Sequence, residues 1–350
     1  MTGGQHSGTV DHDPSEDLVD HRAVRVVMVG DIFDDIIVKP QSPIRPDTDT
    51  LAHIERRLGG SAANTAAWLG FLGTLVDFVG RTNMTDTGRH SKALRESGVT
   101  PHLLGESILP TGTIVVIVGV DGTRTMLTER GANAYTSPED VTDDLLSVAS
   151  HLHFTGYTVF SGQPHEGFAA LITRAHTNGV TVSVDPGSAG FLSDHGAAAF
   201  LEAVGGADIL LPNLDEAVVL TGLTEPAALV DALTAHFAVV ALTLGGAGAL
   251  IATGSGLRLR IDGVPAEPKD TTGAGDAFDA GFLSGLFEGL HAGESPLGEN
   301  PGAETSAFEA RLRRAGELGV ATASRAVGVV GARPSGVVSH RHKPPAEIAG

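Results

Sequence analysis

Three features of the sequence predict an α/β fold of three layers, with a mostly parallel central sheet between two layers of helices. Short aliphatic runs recur along the chain, segments of helical periodicity separate several of them, and the runs end on polar or glycine residues. Residues 1–22 are polar and acidic and lack the apolar stretch of a signal peptide, so a disordered tail is expected there. Val24 to Val29 is an aliphatic run broken only by Arg25 and ending at Gly30-Asp31, as a strand buried on both faces would be. Leu75 to Val79, Leu152 to Phe154, Val180 to Val184, Ile209 to Leu211 and Val239 to Leu244 repeat the pattern. In such sheets ligands bind beyond the carboxyl ends of the strands, where Asp185, Asn213 and Gly245 fall.

Two segments interrupt the alternation. Residues 36–57 carry Pro40, Pro43 and Pro46, and within residues 108–130 the runs Thr113 to Val120 and Arg124 to Thr128 flank Asp121-Gly122, a hairpin dipeptide. Together they predict a small β-sheet lid that excludes water from a substrate, or an edge hairpin without function. The remaining chain from 23 to 340 reads as one domain, with residues 291–306 a surface loop and 341–350 a C-terminal tail. Phe237 to Thr253 is the longest uncharged run, and its glycines and threonines suit a buried strand pair better than a membrane span.

The chain has 23 basic and 42 acidic residues, a formal charge of −19, which argues against a nucleic-acid-binding surface or adhesion to anionic lipid. It has no cysteine, which excludes disulfides and thiolate zinc sites and is compatible with a cytoplasmic location. His151/His153 and His340/His342 have no accompanying acidic or histidine cluster and read as ordinary strand and tail histidines.

Asp270-Thr-Thr-Gly-Ala-Gly-Asp276 precedes a run, Ala277 to Leu290, in which Phe278, Phe282, Leu286 and Leu290 recur every four positions. An amphipathic helix is expected, with Asp276 in its first turn and Gly273, Ala274 and Gly275 at its start. Unpaired N–H groups there suit an anion, although glycines and an acidic residue are also ordinary capping chemistry. Gly59, Gly60 and Asn64 stand in the same way at the start of a second apolar helix running to about Leu69. The Asn64 amide can donate to and accept from a hydroxyl, and a helix start without a ligand is the competing reading.

These two motifs in this order resemble the ribokinase-like (PfkB) family of carbohydrate and nucleoside kinases. Asn213-Leu-Asp-Glu216 is similar to the family's Asn-x-x-Glu motif, and Thr243-Leu-Gly-Gly-Ala-Gly248 to its nucleotide-binding turn. The resemblance runs from about Val24 to Ser335 and implies the ribokinase-like fold, ATP, Mg²⁺ and a sugar-like acceptor phosphorylated on a primary hydroxyl. It implies Asp276 as base, Gly273 to Gly275 as anion hole, and Asp35, Asp31, Gly59, Gly60, Asn64 and Tyr157 at the substrate. Asp31 and Asp34 also fit caps of the strand end.

Asn213, Thr243, Gly245, Gly246 and Gly248 would serve the nucleotide, with adenine near Ala321 to Val327, and Glu216 would reach Mg²⁺ through water. Asp270, Thr272 and Ser335 fall where some relatives bind K⁺, and a homodimer through the lid is implied. Tyr157 stands where a ribokinase presents an acidic sugar contact and Ser61 where it has lysine, so ribose itself is in doubt. A sugar or sugar acid is expected over a nucleoside, for which Phe33, Phe160 and Tyr157 would have to stack on a base. A catalytically silent sugar sensor on the same fold is the alternative from outside the enzymes.

Overall fold

Val26, Val27, Met28 and Val29 have no exposed surface, because they form the middle of a sheet covered on both faces. The computed structural model describes residues 23–334 except 120–122, 163–165 and 299–305. The expected tails, Ser335 and the Asp121-Gly122 turn lie outside the described residues. The strands are β1 (Arg25–Val29), β2 (Phe33–Pro40), β3 (Ala52–Gly59), β4 (Leu75–Asn83), β5 (Val99–Glu106), β6 (Gly112–Val118) and β7 (Arg124–Glu129). They continue with β8 (His151–Thr155), β9 (Thr181–Asp185), β10 (Ile209–Leu210), β11 (Val239–Thr243), β12 (Ala249–Thr253) and β13 (Arg258–Ile261).

Nine strands make one sheet in the order β13-β12-β11-β10-β9-β8-β1-β4-β5. All neighbours from β11 to β5 pair in parallel, and the antiparallel pair β11–β12 occupies the uncharged run Phe237 to Thr253. Alternate residues enter different cores. Val26 and Met28 pack with the helices Ser61–Phe71, Ala274–Leu286 and Ser306–Val327, while Val27 and Val29 pack with Glu166–Thr177, Leu214–Thr221 and Pro226–Leu233. This is the three-layer arrangement. The helix expected to reach Leu290 ends at Leu286, and the chain turns through Gly289 at φ 78°. Among the described residues no helix is long and apolar enough to cross a membrane.

β3-β2-β6-β7 form a second sheet. Gly30, Asp31 and Ile32 lead directly from β1 into β2, and β3 runs through Gly60 into the helix Ser61–Phe71. The second sheet is thereby tethered at the carboxyl end of β1, facing the region where α/β sheets bind ligands.

Candidate active site

One face of the second sheet and the carboxyl ends of the parallel strands enclose a cavity of about 640 Å³, into which Asp31, Asp35, Asp185, Asn213 and Asp276 open. Asp276 lies in the first turn of Ala274–Leu286, 9% exposed. Its Oδ1 accepts from Ser61 Oγ at 2.7 Å and its Oδ2 from Asn64 Nδ2 at 2.9 Å. Burial pushes the Asp276 carboxyl up to about 7, against the lowering effect of these two bonds and with the charges of Asp185 and Asp31 adding to the rise. A carboxylate that titrates near neutrality is matched to proton abstraction.

The helix start beside it is only partly satisfied. Gly273 caps the helix at φ 75°, and a Cβ there would lie 2.7 Å from Ala332 Cβ. The N–H of Ala274 donates to Thr271 O at 3.3 Å. Among the described residues the N–H groups of Gly275 and Asp276 have no partner, and a Cβ on Gly275 would meet nothing within 4 Å. Of the three residues expected to hold an anion, Gly273 shapes the turn and Ala274 is already bonded. The open donors are those of Gly275 and Asp276.

Asp31 has its carboxylate turned to the other helix start, where Oδ2 accepts from Ser61 N–H at 3.2 Å and Oδ1 from Ala62 N–H at 3.3 Å. It is a cap of that helix and not of its own strand end, and it still lines the cavity. Asp34 holds Arg89 through two hydrogen bonds of 2.7 Å. Asp35 is different. Its Oδ1 is buried without a partner among the described residues, and burial pushes its carboxyl up to about 6 despite the charge of Arg333. Gly59 is required here, since a Cβ would stand 2.2 Å from Asp35 Oδ2, and Gly60 turns the chain at φ 96°. Asn64 donates to Asp276 and accepts from Arg333 Nε at 3.1 Å, so the amide has one N–H left for a hydroxyl. Tyr157 lines the cavity with its ring 4.9 Å from that of Phe191. Phe33 lines it too, whereas Phe160 stacks on His195.

On the other side of Asp185, Asn213 caps the helix Leu214–Thr221 in a reciprocal box with Glu216. Asn213 Oδ1 accepts from Glu216 N–H at 2.9 Å, and Glu216 Oε2 accepts from Asn213 N–H at 2.8 Å. Burial, then the charge of Asp185, raises the Glu216 carboxyl. Thr243 pairs with Asn213 as a parallel bridge, which sets the turn Gly245–Ala247 beside the capping box. Neither Thr243 nor Gly245, Gly246 and Gly248 lines the large cavity. Gly245 and Gly246 have open space at their Cα atoms, while a Cβ on Gly248 would stand 2.0 Å from Ile261 O. A smaller hollow of about 300 Å³ adjoins this turn at Asp262 and extends to Val320 on the helix Ser306–Val327, just before Ala321.

Of the residues expected at a K⁺ site, Ser335 lies outside the described residues and Asp270 is engaged by the protein. Asp270 Oδ1 accepts from Arg124 Nη2 at 2.7 Å and Thr272 N–H at 2.9 Å, and Oδ2 from Gly331 N–H at 3.1 Å. The carboxylate already neutralises a guanidinium, and it braces the loop before Gly273 against β7. His151 and His153, for their part, both bond to Ser183 Oγ at 2.7 Å inside the core.

This cavity places a carboxylate raised toward neutrality beside N–H donors that are unpaired among the described residues, at the mouth of a parallel sheet. The model of the pfkB family of carbohydrate kinases matches residues 24–338. The chain belongs to that family. It is 31% identical over 266 residues to an ATP-dependent ribose-1-phosphate kinase of Halopiger xanaduensis, a match covering 75% of this chain and 84% of that one. An adenosine kinase structure from Sinorhizobium meliloti superposes with a TM-score of 0.73 at 25% identity, over 90% of this chain and 97% of that one. Arabidopsis thaliana ribokinase complexed with ribose and ATP superposes with a TM-score of 0.69 at 26% identity, over 89% and 94%. The protein is thus a sugar or nucleoside kinase of the pfkB family.

Three residues in and around this cavity escaped the sequence reading. Arg333 is brought to Asn64 because Trp68 Nε1 donates to Ala332 O at 2.9 Å and Asp270 holds Gly331. Its Nη2 donates to Gly59 O at 2.9 Å, its Nη1 is buried without a partner among the described residues, and burial lowers it to about 10. Asp279, one turn beyond Asp276, is buried with a raised carboxyl and an unpartnered Oδ2. Arg130 lines the cavity and donates to Tyr157 O at 2.5 Å. A phase argument along the helix, in which Asp276 and Asp279 share a face, was the one available signal for Asp279.

Proposed function

We propose that this pfkB kinase transfers the γ-phosphoryl group of ATP to a primary hydroxyl of a small sugar-like acceptor, with Asp276 as the base. The observation that carries this reading is Asp276 itself: a buried carboxylate titrating near 7, held by Ser61 and Asn64 on the helix turn whose Gly275 and Asp276 N–H groups are open. The acceptor hydroxyl gives its proton to Asp276, its oxygen bonds to the γ-phosphorus, and the bond from that phosphorus to the β,γ-bridging oxygen breaks to release ADP. Charge gathering on the phosphoryl oxygens is received by the open N–H groups. Asp35 Oδ1 and the second N–H of Asn64 hold neighbouring hydroxyls, and Gly59 and Gly60 leave the room that Asp35 and the turn before Asn64 need.

Asn213, Thr243 and the open glycines Gly245 and Gly246 suit the nucleotide, with Gly248 and the neighbouring hollow shaping the adenine side. Mg²⁺ fits the all-oxygen acid group of Asp185 and Glu216, both raised by burial, and when bound would neutralise phosphate charge. Mg²⁺ sheds its water reluctantly, so Glu216 would reach it through water. A nucleoside acceptor is the second reading, and the Tyr157–Phe191 ring pair on the cavity wall favours it. Homodimerisation through the second sheet and a cytoplasmic setting belong to the same proposal.

The test is an ADP-release screen over pentoses, hexoses, sugar acids, sugar phosphates and nucleosides, with Asp276→Asn as control. An Asp276→Asn protein turning over the best acceptor at the wild-type rate would end the assignment.

A further inference from the structure

Three arginines line the cavity, and two of them are already paired. Arg57 holds Glu55 at 2.8 Å and Arg124 holds Asp270 at 2.7 Å. Arg130 is the exception. Among the described residues no carboxylate lies within 4.0 Å of its guanidinium, its Nε is buried without a partner, and its one bond is from Nη2 to the carbonyl of Tyr157. Burial lowers its pKa, the mark of a cation taken from water without a full return. The neighbouring Asp31 attracts it, but both Asp31 oxygens are engaged by the N–H groups of Ser61 and Ala62.

A half-buried guanidinium facing a substrate cavity offers a planar fork of donors that matches phosphate or carboxylate oxygens. In a chain of net charge −19, leaving such a group unpaired is costly unless a ligand completes it. Accepting the kinase reading above, we propose that the acceptor is an anionic sugar derivative, whose phosphate or carboxylate is received by Arg130. Arg130 then sets specificity, and Asp276 performs the proton transfer. The exposed Lys39 and Lys269 on the same lining strengthen the local positive potential that draws an anion in.

The test separates this proposal from the phosphotransfer assignment by measuring binding and turnover independently. Calorimetry on Asp276→Asn protein compares matched pairs: a pentose and its phosphate, a hexose and its phosphate, an aldose and its aldonic acid. ADP release by the wild type is followed on the same panel and on nucleosides. One anionic member is expected to bind on the order of a hundredfold more tightly than its neutral partner. The phosphate and carboxylate arms show which anion it is. Arg130→Gln, which keeps a donor for the Tyr157 carbonyl, and Arg130→Met should both remove that margin, and Arg130→Lys should keep part of it.

Melting temperatures of the variants separate loss of the anion contact from loss of fold. A neutral sugar or nucleoside as the tightest binder overturns the proposal, as does a margin that survives Arg130→Gln. Arg130-dependent binding with no ADP release on any acceptor would sink the kinase assignment and leave the anion subsite standing. Asp276-dependent turnover without any anionic preference would do the reverse.

Discussion

The helices Ser61–Phe71 and Ala274–Leu286 both begin in glycines and converge on the Asp276 carboxylate, yet their starts are finished in opposite ways. At the first, Asp31 occupies the N–H groups of Ser61 and Ala62, and a Cβ on Gly60 would stand 2.5 Å from Asp31 O. At the second, the N–H groups of Gly275 and Asp276 have no partner among the described residues and Gly275 faces open space. The first start is closed by the protein and serves to present Ser61 and Asn64. The second is left open. A glycine-rich helix start thus becomes an anion site only when no carboxylate of the same chain reaches it first.

The sharpest way to break the comparison is to remove the group on which both helices act. Asp276→Asn should lower kcat roughly a thousandfold while the acceptor KM changes little, read by ADP release. An equal loss in kcat and acceptor affinity would make Asp276 a binding residue. The glycines come next. Gly275→Ala should cost roughly tenfold to a hundredfold in kcat/KM with an unchanged melting temperature, because the methyl group intrudes only on the ligand's space. Gly60→Ala should instead lose about 1–3 kcal/mol of stability through its positive φ and the backbone beneath it. Thermal unfolding of the two variants side by side would collapse the distinction if both lost stability alike.

A smaller effect concerns the base's surroundings. Activity should rise with pH through about 7 as Asp276 ionises. Arg333→Met removes a buried cation that interacts with Asp276 and Asp35, so the rising limb should move to higher pH, by roughly half a unit to one unit. A pH–rate profile that stays in place would show that Arg333 only holds the backbone.

The smallest effect is on stability. Between pH 4 and 7 the folded protein keeps a proton on Asp276 that the unfolded chain, titrating near 3.8, has released, so the wild type loses stability as pH rises across that window. Asp276→Asn, which cannot ionise, should melt roughly a few degrees higher than wild type above pH 7, with the gap closing toward pH 4. A gap independent of pH would separate the gain from ionisation.

Much of the fold was legible because parallel strands buried on both faces are rich in aliphatic residues: Val26 to Val29 and Val239 to Leu242 are unbroken, and Val180 to Val184 is interrupted only by the small hydroxyl residues Thr181 and Ser183. β5 was not legible. It lies at the sheet edge, where Thr100, His102 and Glu106 are tolerated beside water and dilute the pattern. In the site, Asp276 and its glycines could be read because the chemistry of a helix start is local. Arg130 and Arg333 could not, since nothing beside either one in the chain announces a cavity.

The sequence alone determined the class of sheet, the order of the glycine motifs and the carboxylate that follows the second, because burial periodicity and helix-start chemistry act over a few neighbouring residues. The tertiary structure decided which backbone donors remain free among the described residues, which aspartate became a cap and which cavity arginine has no carboxylate partner there. Those outcomes depend on groups distant in the chain meeting at one place: Asp31 reaches Ser61, Arg124 reaches Asp270, Arg333 reaches Asn64, and Arg130 meets only a carbonyl. A hydrogen bond saturates the donor it uses, so the folding that satisfied most of these groups also fixed the few left open.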